Sequence, residues 1–593
     1  MKFITDPYEA FRSLSDTPVK RAVWSAALIL SATLLPFLLV PFEDFRYCDE
    51  TYQAYCCTDY ERAYLGMLSF FIGNIWMRLF GESLISLRVL MTICYIASVA
   101  IGCIYVRIKG FSILKTSLVY FLGVFGLVLS YLPLYGWDSG AYPFTAFGIL
   151  ALLLYLDRPS RQRAAVLGIA AGMMVLSRVP LVIFLPICCV LIFLNRKYSF
   201  SISKKQGQWG IDCAIFLTTV LLSALSIICI MVGNPMNYIS AIAPENTVAA
   251  HKISDIGWIF DRCIQHAYKT YVMLLPGCVA LLLSCYYAKA KECSIWLHLF
   301  SYVIIYYVLR GAVMNQNDMA GLFWSNSGII LPTAFVSVYF GLFYNSLYNK
   351  SSKRGNKYLT GSSSAMAIIF TALALMQAFG SNSLIERIGW GMLMVFSFGA
   401  YSGKFEKAPR FTFYFLAFSA LITFGFFVLK VRTLSHMYGQ PINLHYATRY
   451  NGARPIGNDY YIVESVDSIR FISSSLESKN LRQIAVGRNI NCFNFGISEP
   501  GKNSGMLFDI STDDLYRDYH TQNANGDAEV VLCLNLDQDQ QFERCLERDD
   551  YAHYFSTYYP HISIWVKDDI CETLPSNPFD KWGYKPRIIS SDR

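Results

Sequence analysis

The chain has 593 residues, of which 54% are hydrophobic and 16% are charged, and its formal net charge is +8. A soluble domain usually carries about 25% charged residues, so this composition excludes an ordinary globular protein. Mean hydropathy is +0.36, and apolar runs of about 20 residues, the length that crosses a bilayer, recur along the chain. The Lys and Arg residues lie in short loops between these runs, so the positive charge indicates membrane topology and no nucleic-acid partner.

The apolar runs predict a mainly α, polytopic membrane protein with about thirteen helical spans. The spans for which the pattern gives both ends cover approximately 22–42, 84–106, 112–133, 164–177, 209–232 and 411–431. A further span, the fourth, runs from the short loop 135–140 back to Asp157, and the sixth runs to Asn195.

The charges of the loops predict the orientation of the chain. With the N-terminus in the cytoplasm, the inner loops hold roughly 22 Lys and Arg residues and the outer loops roughly 10. We therefore predict a membrane domain over 1–431 and a small α/β soluble domain over 432–593 outside the membrane. In the second domain we expect strands at 483–487, 529–534 and 561–566, and helices at 463–476 and 540–547.

The first outer loop, 43–83, is acidic and directly follows the first span. Its carboxylates are Glu43, Asp44, Asp49, Glu50, Asp59, Glu61 and Glu82. Charges held against a membrane surface cost free energy, so these residues are candidates for function. The alternative interpretation is an ordinary solvated loop.

Within this loop, residues 65–82 predict an amphipathic helix in the plane of the membrane interface. The residues that follow the i, i+3, i+4 spacing of one face are Leu68, Phe71, Ile72, Ile75, Trp76, Leu79 and Phe80. We expect this face to point into the membrane, and the face with Ser69, Gly73, Asn74 and Arg78 to point away from it. The alternative is a short transmembrane span, which would break the alternation of basic loops from Arg107 onward.

Seven cysteines lie outside the predicted spans on the outer side, where an oxidising environment would permit disulfides. They are Cys48, Cys56, Cys57, Cys492, Cys533, Cys545 and Cys571. The sequence leaves their pairing open. Metal binding by the first three is a weaker interpretation, because neither a CxxC motif nor a His residue accompanies them.

The motifs of the first outer loop resemble those of the GT-C glycosyltransferases, which include protein O-mannosyltransferases, lipid A aminoarabinose transferases and oligosaccharyltransferase catalytic subunits. The residues that carry this resemblance are Asp49-Glu50, Leu68–Gly73, Leu79–Gly81 and Leu87-Arg88. A second stretch, Gly168–Pro186, is similar to the glycine-rich span of the family, with Arg178 in its basic position. The usual His- or Tyr-Pro-Pro turn before the interfacial helix is replaced here by 61–64, which leaves the subfamily open.

The resemblance implies an integral membrane enzyme of GT-C-type fold that transfers a sugar from a polyprenyl-phosphate donor to a lipid, glycan or protein acceptor. Asp49 is the candidate general base that takes the acceptor proton, and Glu50 could share or replace it. Asp138 is the candidate second acidic residue. The alternatives are a helix cap or loop salt bridge for Asp49 and an ordinary turn for Asp138. The cofactor is unknown; a divalent metal held by Asp49 and Asp138 is one interpretation.

The departing lipid phosphate requires positive charge, which Arg supplies in a planar form that suits several oxygens. Arg178 is the first candidate, and the alternative is an arginine that snorkels to the interface. Further candidates for substrate binding are Arg310, Arg78 and His251, although His251 is also typical of a solvated loop.

Other functions remain open. A lipid-linked glycan flippase or a transporter would be expected to show inverted repeats and broken helices near the middle of the membrane. A polysaccharide polymerase would rely on Arg-rich outer loops, and a scaffold would be a relative without activity. The enzyme hypothesis requires Asp49, Asp138 and Arg178 to lie at one outward-facing site.

Overall fold

The computed structural model describes residues 16–39, 53–54, 56–57, 60, 66–81, 84–129, 135–197, 209–242, 369, 390–400, 481–487, 519–520, 526, 528–534, 540–556, 562–573 and 584–586. Among these residues helices predominate. The spans predicted between 243 and 368 and over 411–431, and the helix predicted at 463–476, lie outside the described residues.

The described part of the membrane domain contains ten α-helices. They are α1 Pro18–Leu34, α2 Met67–Phe80, α3 Leu84–Ile108, α4 Ile113–Leu129, α5 Trp137–Asp157, α6 Arg161–Ser177, α7 Phe184–Lys197, α8 Trp209–Val232, α9 Pro235–Ile242 and α10 Trp390–Ala400. A 3₁₀ turn, Leu35–Leu39, extends α1, and another, Val179–Ile183, joins α6 to α7.

Within the described ranges, four helical segments are long and apolar enough to cross a membrane, by length and composition: Pro18–Phe37, Ser86–Ile108, Trp137–Asp157 and Trp209–Val232. Together with the composition they indicate an integral membrane protein. The bounds of α8 agree with the prediction. Helix α1 begins earlier than predicted because Thr17 caps it, accepting a hydrogen bond from the Lys20 amide at 3.2 Å, and Pro18 opens the first turn.

The helices pack so that successive loops alternate between two ends of the bundle. Helix α6 packs between α5 and α8, while α3 contacts both α5 and α10. We name the end at which α5 begins and α6 ends the outer end, and the opposite end the inner end. The inner end carries the basic residues Arg107, Lys109, Arg158, Arg161 and Arg163. That this end faces the cytoplasm stays a prediction from the positive-inside rule.

An ion-pair cluster joins α3 to α5 at the inner end. Lys109 Nζ lies 2.6 Å from Asp157 Oδ2, and the Tyr105 hydroxyl donates to the same oxygen at 3.2 Å. Both charged side chains are only about one-fifth exposed, so the cost of desolvating them offsets much of the Coulomb energy of the pair.

Helices α6 and α8 approach closely at two glycines of α6. A Cβ added to Gly168 would lie 2.5 Å from the Phe216 carbonyl oxygen, and one added to Gly172 would lie 3.1 Å from the Val220 carbonyl oxygen. Small residues one turn apart allow this backbone approach, which is a common way for membrane helices to associate. The contact fixes α6, and therefore Arg178 at its end, against α8.

Gly168→Ala is expected to lower stability by about 1–3 kcal/mol, because the backbone oxygen of Phe216 cannot move aside as a flexible side chain would. Gly210→Ala in α8 is the matched control, since a Cβ there meets nothing within 4 Å. Thermal unfolding of the two purified variants in the same detergent measures the difference. Equal melting temperatures would show that the α6–α8 contact tolerates the extra methyl group.

Five strands near the C-terminus form one sheet in the order β1-β2-β4-β3-β5. The elements are β1 Gln483–Gly487, β2 Val530–Leu534, α11 Gln540–Arg548, β3 Tyr551–Ser556, β4 Ile562–Lys567, α12 Asp568–Thr573 and β5 Tyr584–Pro586. Strands β1 and β2 are parallel, and the other neighbours are antiparallel. Trp565 and Val531 pack against Leu546 of α11. The strands predicted at 483–487, 529–534 and 561–566 are present, whereas β3 and β5 were not predicted.

Candidate functional site

An ion pair between Asp138 and Arg178 lies at the outer end. Asp138 is in the first turn of α5, and Arg178 is the C-cap of α6. The short link 158–160 folds α6 back along α5, so the start of one helix meets the end of the other. Arg178 Nη1 contacts Asp138 Oδ1, and the side chains are only 5% and 12% exposed, respectively.

The two helix termini favour these charges. A carboxylate is stabilised at a helix N-terminus and a cation at a C-terminus, by up to about 2 kcal/mol when partly buried. The chain turns sharply after Arg178 because Pro180, in the first turn of the following 3₁₀ helix, cannot continue α6. Arg178 is thereby held at the boundary between α6 and the next segment.

A buried ion pair is weak evidence for stability, because desolvation offsets its Coulomb energy. Breaking such a pair by removing one member is expensive, at about 3–5 kcal/mol. A carboxylate and a guanidinium almost excluded from water in a membrane protein are therefore candidates for function. The structure brings Asp138 and Arg178 into contact, whereas Asp49, the third residue that the enzyme hypothesis needs at this site, lies outside the described residues.

Helix α2 lies across the outer end and contacts three of the other helices. The Ser69 hydroxyl donates to the Ser177 carbonyl oxygen at 2.9 Å, and the Tyr135 hydroxyl donates to the Ser69 carbonyl oxygen at 2.6 Å. Further along α2, Trp76 Nε1 donates to the Ser86 carbonyl oxygen at 2.9 Å, close to the start of α3. These contacts link α2 to the residues that directly precede both Arg178 and α5.

The faces of α2 differ in one respect from the sequence prediction. The small and polar residues Ser69, Gly73 and Asn74 are buried against the bundle, where the prediction had them point away. Gly73 faces Tyr135 so closely that an added Cβ would lie 2.8 Å from the ring. The prediction was wrong because the carbonyl of Ser177 and the hydroxyl of Tyr135 require polar partners and a close approach. Leu79 and Phe80 of the apolar face are exposed, at 70% and 62%.

A short part of the acidic loop also reaches the outer end. Gln53, Ala54, Cys56 and Cys57 are buried. The Gln53 carboxamide lies on Gly136, and the Cys57 sulfur lies on Gly73. The segment that follows Asp49 and Glu50 in the chain therefore packs against the residues that begin α5.

The structure describes only some of the residues predicted to belong to the site. Arg78 is exposed on α2 and is not part of the contact between Asp138 and Arg178. Asp49, Glu50, Arg310 and His251 lie outside the described residues, so their roles stay predictions. Sequence reasoning did not identify Gln53, Ser69 or Tyr135 as members of this site. The small residues Ser69 and Gly73, four positions apart, were the signal for a buried face of α2.

The metal and disulfide interpretations can be compared with the described residues only, because Asp49, Cys48 and Cys492 lie outside them. No group of three or more His, Cys, Asp or Glu side chains in the described ranges could hold a metal ion, and no disulfide joins two described cysteines. The guanidinium of Arg178 also lies on the Asp138 carboxylate, where it would repel a divalent cation. These residues do not fit a metal site by themselves.

Ser69→Ala tests whether α2 braces the ion pair. Losing the hydrogen bond to the Ser177 carbonyl is expected to cost about 0.5–1.5 kcal/mol in stability. Ser98→Ala is the matched control, because the buried Ser98 hydroxyl bonds only within α3, to the Tyr95 carbonyl at 2.7 Å. Thermal unfolding gives the stability, and protection of the amides at 177–181 from hydrogen exchange gives the local effect. Unchanged protection in Ser69→Ala would contradict a bracing role.

Comparison with known proteins gives matches of structure only. No family model matches the chain, and no curated protein matches it. Oligosaccharyltransferase AglB from Archaeoglobus fulgidus, solved with an inhibitory peptide and a dolichol-phosphate, is 10% identical with a TM-score of 0.47, over 93% of this chain and 75% of that one. ArnT from Cupriavidus metallidurans, bound to undecaprenyl phosphate, is 11% identical with a TM-score of 0.41, over 91% of this chain and 97% of that one. At TM-scores under 0.5, these likenesses decide neither fold nor activity.

Proposed function

We propose that the chain is an integral membrane glycosyltransferase of the GT-C type. It transfers a sugar from a polyprenyl-phosphate donor to a lipid, glycan or protein acceptor at the outer end of the bundle. Asp49 is the general base and Arg178 binds the donor phosphate. The donor class and the role of Asp49 come from the sequence resemblance.

The observation that carries the proposal is the convergence of three separate segments at the outer end. Asp138 from α5 and Arg178 from α6 form the buried ion pair. Gln53, from the loop that contains Asp49, lies on Gly136 at the start of α5. Gln53 is four positions after Asp49, and a chain of that length spans at most about 14 Å. The base, the second carboxylate and the phosphate-binding cation can thus serve one reaction.

The chemistry assigns a distinct role to each charge. Asp49 accepts the proton of the acceptor hydroxyl or amine while that atom forms a bond to the anomeric carbon. The bond between the anomeric carbon and the phosphate oxygen breaks, and its electron pair leaves with the polyprenyl phosphate. Negative charge therefore grows on the phosphate, where the guanidinium of Arg178 stabilises it.

Asp138 orients Arg178 in this proposal. Its carboxylate fixes one nitrogen of the guanidinium, and the planar fork presents further N–H groups to the phosphate oxygens. A cation that is already oriented by a buried carboxylate loses little side-chain entropy when the donor binds, which increases affinity.

The arrangement of charge favours an enzyme over a transporter. Within the described residues of α1–α8, every charged side chain lies within two turns of a helix end. Transporters bind their substrates near the middle of the membrane, where broken helices form the site. In the described ranges the break between α6 and α7 lies at the outer end, at Arg178.

The proposal is tested with purified protein in liposomes that contain polyprenyl phosphates carrying labelled sugars. We expect the label to move from at least one donor to an acceptor lipid, glycan or protein, with release of the polyprenyl phosphate. A flippase would instead move intact donor between the leaflets, which a membrane-impermeant probe of the donor detects. Movement without transfer would replace the enzyme by the alternative.

A further inference from the structure

Gln53 lies at the outer end in surroundings that suit a ligand-binding residue. It is 2% exposed, and its carboxamide oxygen occupies the space in which a Cβ on Gly136 would lie. Gly136 is the N-cap of α5 and precedes Asp138 by two residues. The carboxamide is therefore next to the first turn of α5, which carries the ion pair with Arg178.

A carboxamide offers two N–H donors and an oxygen acceptor, and burying it without partners costs free energy. Within the part of the chain that the structure describes, no hydrogen bond joins the Gln53 carboxamide to a side chain or to the backbone. The N-cap amide of α5 is instead paired locally, since the Gly136 N–H donates to Ser139 Oγ at 3.0 Å. The carboxamide is thus buried beside the site and is not used to cap the helix.

The position of the Gln53 side chain also explains why residue 136 is a glycine. Its φ of −179° is an extended conformation that any residue adopts, so the backbone does not require glycine there. A side chain at this position would displace the Gln53 carboxamide. Residues 53 and 136 are consequently coupled, although 82 residues separate them in the sequence.

We propose that Gln53 recognises the sugar of the donor through hydrogen bonds from its carboxamide to ring hydroxyls. This inference rests on the proposed function and deepens it, because it separates recognition of the sugar by Gln53 from recognition of the phosphate by Arg178. Sugar hydroxyls both donate and accept hydrogen bonds, as a carboxamide does. A site built to pair with a hydroxyl discriminates strongly against a ligand without it, because the buried polar group then stays unpaired.

The test measures binding of four lipids in detergent: undecaprenyl phosphate, and the same carrier bearing mannose, glucose or aminoarabinose. We expect the wild-type protein to bind at least one sugar-bearing lipid more tightly than the bare carrier. Gln53→Met keeps the length of the side chain and removes its hydrogen bonds. It should weaken binding of that lipid by about tenfold to a hundredfold and leave binding of the bare carrier unchanged.

Two further variants control for packing. Cys56→Ala changes a buried residue of the same segment and is expected to keep the preference for the sugar-bearing lipid. Gly136→Ala should reproduce the loss seen in Gln53→Met by displacing the carboxamide. The combined variant should then lose no more than either single variant, because both remove one interaction.

Each remaining outcome overturns a stated claim. Gln53 does not recognise the sugar if the wild-type protein binds the bare and the sugar-bearing lipids equally. The same holds if Gln53→Met and Gly136→Ala both keep the preference, or weaken all four lipids alike. In those cases the proposed glycosyltransferase activity stands. A wild-type protein that binds none of the four lipids overturns the proposed function, and the role of Gln53 with it.

Discussion

Asp49→Asn is expected to lower the rate of sugar transfer by about 10²–10⁴-fold, because the amide cannot accept the acceptor proton. Donor binding should change little, since the proposed function assigns the donor phosphate to Arg178 and not to this carboxylate. Folding should also survive, because Asp49 is predicted to lie in a solvated loop, where a carboxylate contributes little to the packing of the helices. Single-turnover transfer from a labelled donor measures the rate of the chemical step. Equilibrium binding of the same donor measures the affinity of the enzyme for the donor before the reaction.

Glu50→Gln is the matched control for Asp49→Asn, because it removes the neighbouring carboxylate by the same kind of change. Its effect on transfer is expected to be milder. If Glu50→Gln abolishes transfer while Asp49→Asn does not, Glu50 is the base. If both variants keep the wild-type rate, the acidic loop does not contain the base.

Arg178→Ala is expected to produce the second large effect, a loss of donor affinity and of turnover. Hydrogen bonds to a charged group contribute about 1.5–3 kcal/mol, or roughly tenfold to 150-fold in affinity. Arg178→Lys should recover only part of this loss, because an ammonium group cannot reproduce the planar fork. Titration with undecaprenyl phosphate gives the affinity of each variant.

Arg178→Ala also deprives the Asp138 carboxylate of its ion-pair partner, so it is expected to cost about 3–5 kcal/mol in stability. The double variant Asp138→Asn with Arg178→Met separates the two effects. Removing both charges should restore the melting temperature, since a buried ion pair adds little net stability, but should not restore donor binding. If the double variant binds the donor as the wild-type protein does, Arg178 is a structural residue only.

Much of the described fold follows from hydropathy and periodicity. The length of α8 and the strand at 483–487 could be predicted because each is a continuous apolar run between polar residues. Strand β3 could not be, because its sequence mixes Tyr551, His553 and Ser556 with apolar residues and follows α11 directly. The sheet forms because β4 provides a partner for β3, a long-range contact that no local pattern contains.

The candidate site was predictable only in its charged members. Arg178 could be selected because it lies between two predicted apolar spans, where an unused charge costs free energy, and Asp138 because it lies in the next predicted outer loop, where the family resemblance implies a second acidic residue. Their direct contact follows from the short link between α5 and α6, which the sequence also shows. The roles of Gln53 and Tyr135 depend on the position of α2 and of the loop against α5. That position results from packing between segments far apart in the chain, which periodicity does not report.

The location of the chemistry is tested most directly by comparing transfer in two carboxylate variants from opposite ends of the bundle. Asp49→Asn changes the predicted base, whereas Asp157→Asn changes the inner-end partner of Lys109. With equal amounts of folded protein and the same labelled donor, the account predicts that transfer is lost in Asp49→Asn and kept in Asp157→Asn. Loss of transfer in Asp157→Asn with full transfer in Asp49→Asn would place the active site at the inner end and contradict the account.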